Sequence, residues 1–315
     1  MRAVFYSRFG GAEVLKTGDL ADPVPAPGEV LVRVRAAGVN PIDWKLASGA
    51  YKAFFPYAFP VIPGWDVAGD VAALGPGVTG FAIGDHVHGY ARKPTVQWGC
   101  YAELVAVDAA ALATMPAGMT MAEAAAVPLV GLTAWQALVG FGAVAPGTLA
   151  LIPAAAGGVG SIAVPLAKSR GATVVATCGT ANVAAVSALG ADHVIDYRTQ
   201  DVTAAVRALA PEGVDFLLDS LGGEAQAGLV ALVRDGGTVA ALNDPVPEAM
   251  ASARGLRCER IFSSPDGAAL AELDRLLSSG ALPKPEVETL PLERAAEAFS
   301  RSMAGHVRGK LVLTL

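Results

Sequence analysis

A glycine-rich turn between a strand pattern and a helix pattern is the part of this sequence best suited to chemistry. The run Leu149–Ile152 is apolar, and the residues that follow include Gly157, Gly158 and Gly160 before a helical pattern resumes. Glycines at such a turn let the backbone approach a pyrophosphate closely, while the free amides of the helix N-terminus face the phosphates. A second strand pattern at residues 173–177 completes the context that the motif requires. We therefore interpret the segment as a dinucleotide-binding turn.

The residues after the second strand indicate which dinucleotide binds. In an NAD site, an acidic side chain about twenty positions after the glycines accepts hydrogen bonds from the ribose. Residues 177–182 contain no carboxylate. Hydroxyl and amide side chains tolerate a 2′-phosphate that an acid would repel, so the sequence predicts NADPH as the cofactor. We expect Thr180, Asn182 and Tyr197 beside that phosphate, whereas Arg198 is equally consistent with an ordinary solvated charge.

Composition describes a mildly acidic globular protein. The chain has 315 residues, a hydrophobic fraction of 53% and a net charge of −6, and its length favours two domains. No basic run is present to neutralise phosphates, so we expect neither nucleic acid nor an anionic membrane as partner. Prolines and glycines break the charge-free stretch between Glu123 and Lys168 into pieces shorter than the about 20 apolar residues of a membrane span. The N-terminus resembles a strand rather than a signal peptide, which predicts a cytoplasmic protein.

The two parts of the chain differ in periodicity. Up to about residue 122, short alternating segments such as residues 29–35 predict mostly antiparallel β structure. Beyond it, strands and helices alternate, which predicts a parallel sheet with right-handed crossovers. The predicted strands lie near 148–153, 173–178, 193–196, 214–219 and 236–242, and the predicted helices near 158–170, 182–189, 201–209, 224–233, 267–279 and 292–304, with a final strand at 310–315.

Four segments, in their order along the chain, carry a family resemblance: AGVNPID at 37–43, PGWDVAG at 63–69, AAAGGVG at 154–160 and LGADHVIDY at 189–197. Together they resemble the zinc-independent medium-chain dehydrogenase/reductases of the quinone oxidoreductase type, over essentially the whole length. The resemblance implies an α/β fold that combines a GroES-like, partly open β-barrel with a doubly wound Rossmann sheet. It implies a GroES-like catalytic domain at 1–122, a Rossmann NADPH-binding domain at 123–262 and a return to the first domain at 263–315.

The resemblance also bears on metal binding. Zinc-dependent relatives place a catalytic cysteine where this chain has Asn40 and a His-Glu pair where it has Trp65 and Asp66, and the four-cysteine lobe for structural zinc is missing. A metal site needs its ligands, so we predict no metal. His86 and His88 lie two apart on a strand pattern, but without a third ligand they are more consistent with a turn and surface pair.

The resemblance implies a set of cofactor contacts. Asn40 and Asp43 are implied beside the nicotinamide ribose, and Thr133 beside the carboxamide. Three residues of the glycine turn are implied at the pyrophosphate: Gly157, Gly158 and Val159. Ser220 and Asn243 are implied beside the cofactor at the ends of the fourth and fifth Rossmann strands. Several of these have plainer alternatives. Asn40 and Asp43 also suit a turn around a proline, Thr133 suits a helix position, and Ser220 suits a cap.

Without a Lewis acid, alcohol oxidation is hard to support and reduction is easier. During reduction, negative charge builds on a carbonyl oxygen, where hydrogen-bond donors stabilise it. The aromatic-rich segment after Asn40 offers Tyr51 as a donor, so Asn40 and Tyr51 are the predicted catalytic residues, with water as the alternative proton source. The predicted function is NADPH-dependent reduction of a quinone or of the activated C=C bond of an enone or enoyl thioester. The sequence does not distinguish quinones from these α,β-unsaturated carbonyl compounds as the substrate.

Two other functions stay open at this point. One is a non-catalytic NADPH-binding protein, as crystallin relatives in the family suggest, and the other is a zinc-free alcohol dehydrogenase. Residues 256–262 resemble an apolar edge strand, which predicts a homodimer. Two departures from the family pattern are Pro165 inside a predicted helix and the absence of a lysine near Asn182, where several relatives pair one with the 2′-phosphate.

Overall fold

A computed structural model describes residues 1–305 and 307–315, and it divides into two compact units. The first unit comprises Met1–Leu132, Ser264–Ser278 and Lys284–Leu315, and the second comprises Thr133–Ser263 and Ser279–Pro283. No helix within the described residues is both long enough and apolar enough to cross a membrane.

The strands of the described chain are β1 (Arg2–Phe5), β2 (Lys16–Asp19), β3 (Glu29–Gly38), β4 (Asp66–Leu74), β5 (His86–Tyr90), β6 (Leu104–Asp108), β7 (Leu112–Thr114), β8 (Leu149–Ile152), β9 (Thr173–Cys178), β10 (His193–Asp196), β11 (Val214–Asp219), β12 (Val233–Ala241), β13 (Arg257–Arg260), β14 (Val287–Pro291) and β15 (Lys310–Thr314). The helices are α1 (Pro41–Ala47), α2 (Met121–Ala125), α3 (Pro128–Trp135), α4 (Gly158–Ser169), α5 (Val183–Ala188), α6 (Val202–Leu209), α7 (Gly223–Val230), α8 (Glu248–Ala253), α9 (Gly267–Ser278) and α10 (Ala295–Ala304). A π-helical segment, Gln136–Phe141, continues from α3.

The first unit is built on a sheet in the order β14-β15-β3-β4-β5-β7, with β6 also paired to β3. Only the β14–β15 pair is parallel, and the other pairs of this sheet are antiparallel. Along β3, the buried Val30, Val32 and Val34 alternate with more exposed residues, including Arg33 and Arg35. This alternation confirms the antiparallel interpretation of the first part of the chain.

The first unit extends further along the chain than the predicted boundary at residue 122. Small side chains explain the difference. The alanines of α2 and the residue after it, Ala124, Ala125 and Ala126, are fully buried against Ala36, Ala68 and Val312. This packing holds α2 against β3, β4 and β15, so the first unit continues to Leu132.

The second unit contains a six-stranded, fully parallel sheet in the order β10-β9-β8-β11-β12-β13. Its central strands are fully buried at Leu151, Val175, Leu217 and Val239, as expected for a parallel sheet covered by helices on both faces. The strand order reverses between β8 and β11, and this is the point at which doubly wound sheets bind their ligands. The predicted Rossmann sheet is therefore confirmed, and its dinucleotide turn follows the strand at the reversal.

Some elements differ from the sequence-based expectation. Strand β12 begins at Val233, within the helix predicted at 224–233, and its pairing with β11 shifts register between Val214 and Phe216. Helix α8 and strand β14 were not predicted. Strand β14 has the sequence VETLP and mostly exposed or half-buried side chains, so it lacks a clear apolar pattern.

Candidate cofactor site and polar cluster

The glycine turn after β8 begins with an unusual backbone conformation. Ala154 has a φ of 50°, a left-handed conformation that is rare outside glycine, and the amide of Ala155 donates to Thr177 O at 3.0 Å. Helix α4 begins after Gly157, whose position provides no side-chain cap. The amides of the first turn of α4 are therefore not capped by this residue, as a phosphate-binding helix N-terminus requires.

Glycine is sterically required where α4 meets this turn. A Cβ atom on Gly160 would lie 2.6 Å from both Ala154 O and Ala155 Cα, and one on Gly157 would lie 3.3 Å from Ala154 O. Gly157, Gly158 and Val159 are each only half-buried. The turn thus combines close packing of α4 on the sheet with accessible backbone, which suits a pyrophosphate.

The predicted cofactor residues that follow strands of the second unit lie at one edge of the sheet. Because the strands are parallel, the segments after β8, β9, β10, β11 and β12 all leave from the same edge. Ser220 Oγ donates to Pro153 O at 3.0 Å, and Asn243 Nδ2 donates to Ser220 O at 2.8 Å. These bonds join the ends of β8, β11 and β12 beside the glycine turn.

Tyr197 and Arg198 lie against the turn that follows β9. A Cβ atom on Gly179 would be 3.1 Å from Arg198 Nε and 3.2 Å from Tyr197 Oη. The guanidinium carbon of Arg198 is also 5.7 Å from the centre of the Tyr197 ring. A guanidinium and a phenol are thereby brought to the segment that the sequence associates with the 2′-phosphate.

An acidic side chain reaches the same segment from the next strand, which sequence spacing did not reveal. Asp196, at the end of β10, accepts a hydrogen bond from Thr180 Oγ1 at 2.6 Å. It also accepts from Arg198 N and Thr199 Oγ1, both at 3.0 Å. The bond from Thr180 is the main cause that lowers the pKa of Asp196. The Thr180 hydroxyl is therefore committed to a carboxylate.

Thr133 lies in the last turns of α3, and its hydroxyl donates to Ser263 Oγ at 2.9 Å, with both side chains buried. This contact joins the first and last residues of the second unit's main segment. Asn182 ends a short 3₁₀ turn directly before α5.

In the first unit, the residues before and within α1 form a buried polar cluster. Asn40 precedes α1, and its backbone N–H donates to Asp43 Oδ2 at 2.8 Å, which fixes the start of the helix. Tyr101 Oη donates to the same oxygen at 3.0 Å. Burial raises the pKa of Asp43 to about 7, although the bond from Asn40 and the charge of Lys310 act to lower it.

The cluster continues through Asp66 to a lysine that the sequence did not single out. Asn40 Nδ2 donates to Asp66 Oδ2 at 2.8 Å, and Leu129 N donates to Asp66 Oδ1 at 2.7 Å. Lys310 Nζ lies 2.6 Å from Asn40 Oδ1 and 3.3 Å from Asp66 Oδ2. A charged residue at the head of the apolar strand KLVLT was the available signal for Lys310.

Comparison with known proteins decides the family. A model described as "Alcohol dehydrogenase GroES-like domain" matches residues 26–117, and one described as "Zinc-binding dehydrogenase" matches residues 189–313. The chloroplastic quinone-oxidoreductase homolog of Spinacia oleracea is 33% identical to this chain, and the match covers 99% of this chain and 98% of the spinach protein. The chain belongs to the medium-chain dehydrogenase/reductase superfamily.

Two further members of this superfamily give the range of named activities. The chloroplastic NADPH-dependent alkenal/one oxidoreductase of Arabidopsis thaliana is 34% identical, over 99% of this chain and 79% of its own. The crystal structure of an NAD-dependent alcohol dehydrogenase is similar at a TM-score of 0.90 and 35% identity, and the match covers 100% of each chain. The fold is thus that of NAD(P)-dependent oxidoreductases.

A series of aromatic rings in the first unit runs from the segment after α1 to strand β5. Ring centres are 6.5 Å apart for Tyr51 and Phe55, 6.0 Å for Phe55 and Trp65, and 5.9 Å for Trp65 and Tyr90. Tyr51 and Phe55 are half-buried, whereas Trp65 and Tyr90 are buried. The ring planes are inclined to one another by 44°, 67° and 52°, so the series is an angled apolar surface that is partly accessible at Tyr51 and Phe55.

The interpretation of His86 and His88 as a surface pair is wrong for His88. His88 is fully buried, with Nδ1 3.0 Å from Ala124 O and Nε2 2.9 Å from Asp274 Oδ2. It joins β5 to α2 and α9, whereas His86 is exposed and contacts Asp70. Within residues 1–305 and 307–315, no group of three or more His, Cys, Asp or Glu side chains is placed to hold a metal ion.

Asp43→Asn should change how stability depends on pH. The folded-state pKa of about 7 exceeds the ordinary value of about 3.9, so the folded protein binds more protons between these values. This group therefore lowers wild-type stability as pH rises through that window, by at most about 1.4 kcal/mol per pH unit. Asparagine does not titrate, so the stability of the variant relative to wild type should increase from about pH 4 to about pH 7 and then level off.

Urea unfolding across this range measures the difference. The exposed Glu212→Gln variant is the control, and it should follow wild type throughout. Parallel curves for Asp43→Asn and wild type would contradict the assignment of a raised pKa to Asp43.

Proposed function

We propose that the chain is an NADPH-dependent reductase of quinones or of the activated C=C bond of α,β-unsaturated carbonyl compounds, and that it works without a metal. The observation that carries the proposal is the glycine turn at the strand-order reversal, with Ser220, Asn243 and Tyr197 at the same sheet edge. Bound NADPH would supply the hydride. The residues of this chain hold the cofactor and stabilise the charge that develops on the substrate oxygen. The names of the spinach and Arabidopsis relatives support both substrate classes.

Side-chain chemistry supports the absence of a catalytic metal. At the positions of the zinc ligands in zinc-dependent relatives, this chain has Asn40, Trp65 and Asp66. Of these three side chains, only that of Asp66 is an anionic metal ligand. Both oxygens of Asp66 already accept hydrogen bonds, and the ammonium of Lys310 lies 3.3 Å away. A second cation beside that ammonium would be repelled. The zinc-dehydrogenase model matches residues 189–313, which exclude these three positions.

A substrate screen tests this function directly. Protein dialysed against excess chelator should oxidise NADPH in the presence of a bicyclic quinone, a linear enone or an enoyl thioester, at the same rate as untreated protein. Elemental analysis should find no stoichiometric zinc. Activity that is lost to the chelator and restored by zinc would contradict metal independence, and binding of NADPH without oxidation by any substrate would favour the non-catalytic alternative.

The side-chain contacts around the Gly179 turn support NADPH over NADH. The carboxylate of Asp196 already accepts bonds from Thr180, Thr199 and the amide of Arg198, so it has little capacity left for ribose hydroxyls. The side chains of Arg198 and Tyr197 lie over the Gly179 turn and suit a phosphate. Arg198 would replace the lysine that several relatives carry near position 182. The similarity to an NAD-dependent alcohol dehydrogenase is the reason to measure both cofactors.

Arg198→Met should weaken NADPH binding at least tenfold and leave NADH binding within twofold. The lost charge-assisted contact to the 2′-phosphate corresponds to about 1.5–3 kcal/mol, and NADH lacks that phosphate. Calorimetric titration with both cofactors measures the effect. Arg234→Met is the matched control because Arg234 lies near the start of β12, at the opposite edge of the sheet, and pairs with Asp215. Equal losses for both cofactors would argue against a phosphate contact.

We propose that Tyr51 donates to the developing oxyanion and that Asn40 and Asp43 organise the reacting end. Tyr51 is half-buried in the aromatic series, whereas the Asn40 and Asp43 side chains are buried. Tyr51→Phe should lower turnover at least tenfold, about 1.4 kcal/mol of transition-state stabilisation, without changing NADPH affinity. Tyr57→Phe, which removes a hydroxyl bonded to Leu46 O, is the control and should keep full turnover. Full turnover of Tyr51→Phe would assign protonation to water.

A homodimer through β13 is our proposal for the assembly. Strand β13 ends the six-stranded sheet, so its outer edge offers unpaired backbone groups. An antiparallel pair of β13 strands about a two-fold axis at Cys258 would set Arg257 of each copy opposite Glu259 of the other.

Light scattering at micromolar concentration should give a dimer. Glu259→Arg should give a monomer through like-charge repulsion, and Arg257→Glu combined with Glu259→Arg should restore the dimer. A monomeric wild type would contradict the proposal.

A further inference from the structure

The ammonium of Lys310 is held at one place by its hydrogen bonds. Lys310 is 4% exposed at the start of β15, and an ammonium group has three protons to donate. Its three acceptors are Val39 O at 2.9 Å, Asn40 Oδ1 at 2.6 Å and Asp66 Oδ2 at 3.3 Å. Each proton thus has its own acceptor. A lysine that served only to balance charge would not need to satisfy an asparagine oxygen and a backbone carbonyl as well.

These bonds fix which way the Asn40 carboxamide points. Lysine offers donors alone, so the atom of Asn40 that faces Lys310 must be the oxygen. The carboxylate of Asp66 offers acceptors alone, so the atom that faces it must be the nitrogen. The two charged neighbours therefore exclude the flipped carboxamide, and removal of Lys310 would remove half of this constraint.

The same pair connects the chain segments around Asn40. Asp66, which begins β4, accepts from Leu129 N in the first turn of α3 and from Asn40 before α1. Lys310 adds β15 and the carbonyl of Val39. A buried carboxylate needs such partners, because loss of its counter-charge leaves an uncompensated ion.

We propose that Lys310 is a positioning residue for the nicotinamide end of the cofactor. It fixes the orientation of the Asn40 side chain, which in turn contacts that end of the cofactor, and Lys310 itself does not touch the substrate. The inference rests on the proposed function, in which Asn40 and Asp43 organise that end. It adds a residue that lies 270 positions from Asn40 in the sequence and outside the four motifs.

A pair of ligands separates positioning from general structural support. NADPH and 2′-phospho-ADP share the adenosine, the 2′-phosphate and the pyrophosphate, and 2′-phospho-ADP lacks both the nicotinamide and its ribose, beside which the family resemblance places Asn40. Lys310→Met should weaken NADPH binding at least tenfold while the affinity for 2′-phospho-ADP stays within twofold of wild type. Lys310→Arg retains the charge and donors, so it should restore most of the NADPH affinity.

Two further variants keep the test decisive. Lys93→Met removes another partly buried lysine of the same unit, paired with Glu29, and should leave both affinities unchanged. If Lys310→Met does not fold, Lys310→Met with Asp66→Asn removes both buried charges and is measured in its place, with the same expected selective loss.

Equal changes for the two ligands, or no change for either, would overturn the inference. Because the readout is binding, it stands apart from catalysis. Wild-type protein that binds NADPH but reduces no substrate would contradict the proposed function and leave the assignment of Lys310 to the outcome of the ligand pair.

Discussion

The buried carboxylate of Asp66 is the interaction on which the first unit's polar cluster depends. Removal of a carboxylate from water costs several kcal/mol unless a counter-charge and donors replace the lost hydration. Asp66 meets this requirement with Lys310, Asn40 and the amide of Leu129. The starts of α1 and α3 and the strand β15 are thereby held around one carboxylate. A polar requirement of a single side chain thus sets the geometry of segments that are far apart in sequence.

The second unit follows a different logic, in which topology positions the site. A parallel sheet places the ends of its strands at one edge, and the reversal of strand order beside β8 opens that edge to a ligand. Glycine at position 160 lets α4 approach the turn, and a left-handed Ala154 shapes it. Short polar side chains such as Ser220 and Asn243 then join neighbouring strand ends through the backbone. The dinucleotide site therefore needs few charged residues.

The sequence predicted the second unit well because buried parallel strands are apolar runs and their turns need glycine. Strands β8 to β11 appear at or near the predicted positions, and the turn at Gly157 begins α4. Long-range polar pairs could not be found this way. Lys310 with Asn40, His88 with Asp274 and Thr180 with Asp196 each join residues whose spacing carries no period. Strand β14 escaped notice because an edge strand with exposed side chains has no apolar alternation.

Transfer of a label from the cofactor to the product tests the central claim most directly. NADPH that carries deuterium at the reactive carbon of the nicotinamide would be incubated with chelator-treated protein and the best substrate of the screen. For an enone or enoyl substrate, mass spectrometry should find one deuterium on the carbon β to the carbonyl, from one face of the cofactor only. A reduced product without deuterium from either labelled face of NADPH, or product formed only after zinc is added, would contradict metal-free hydride transfer.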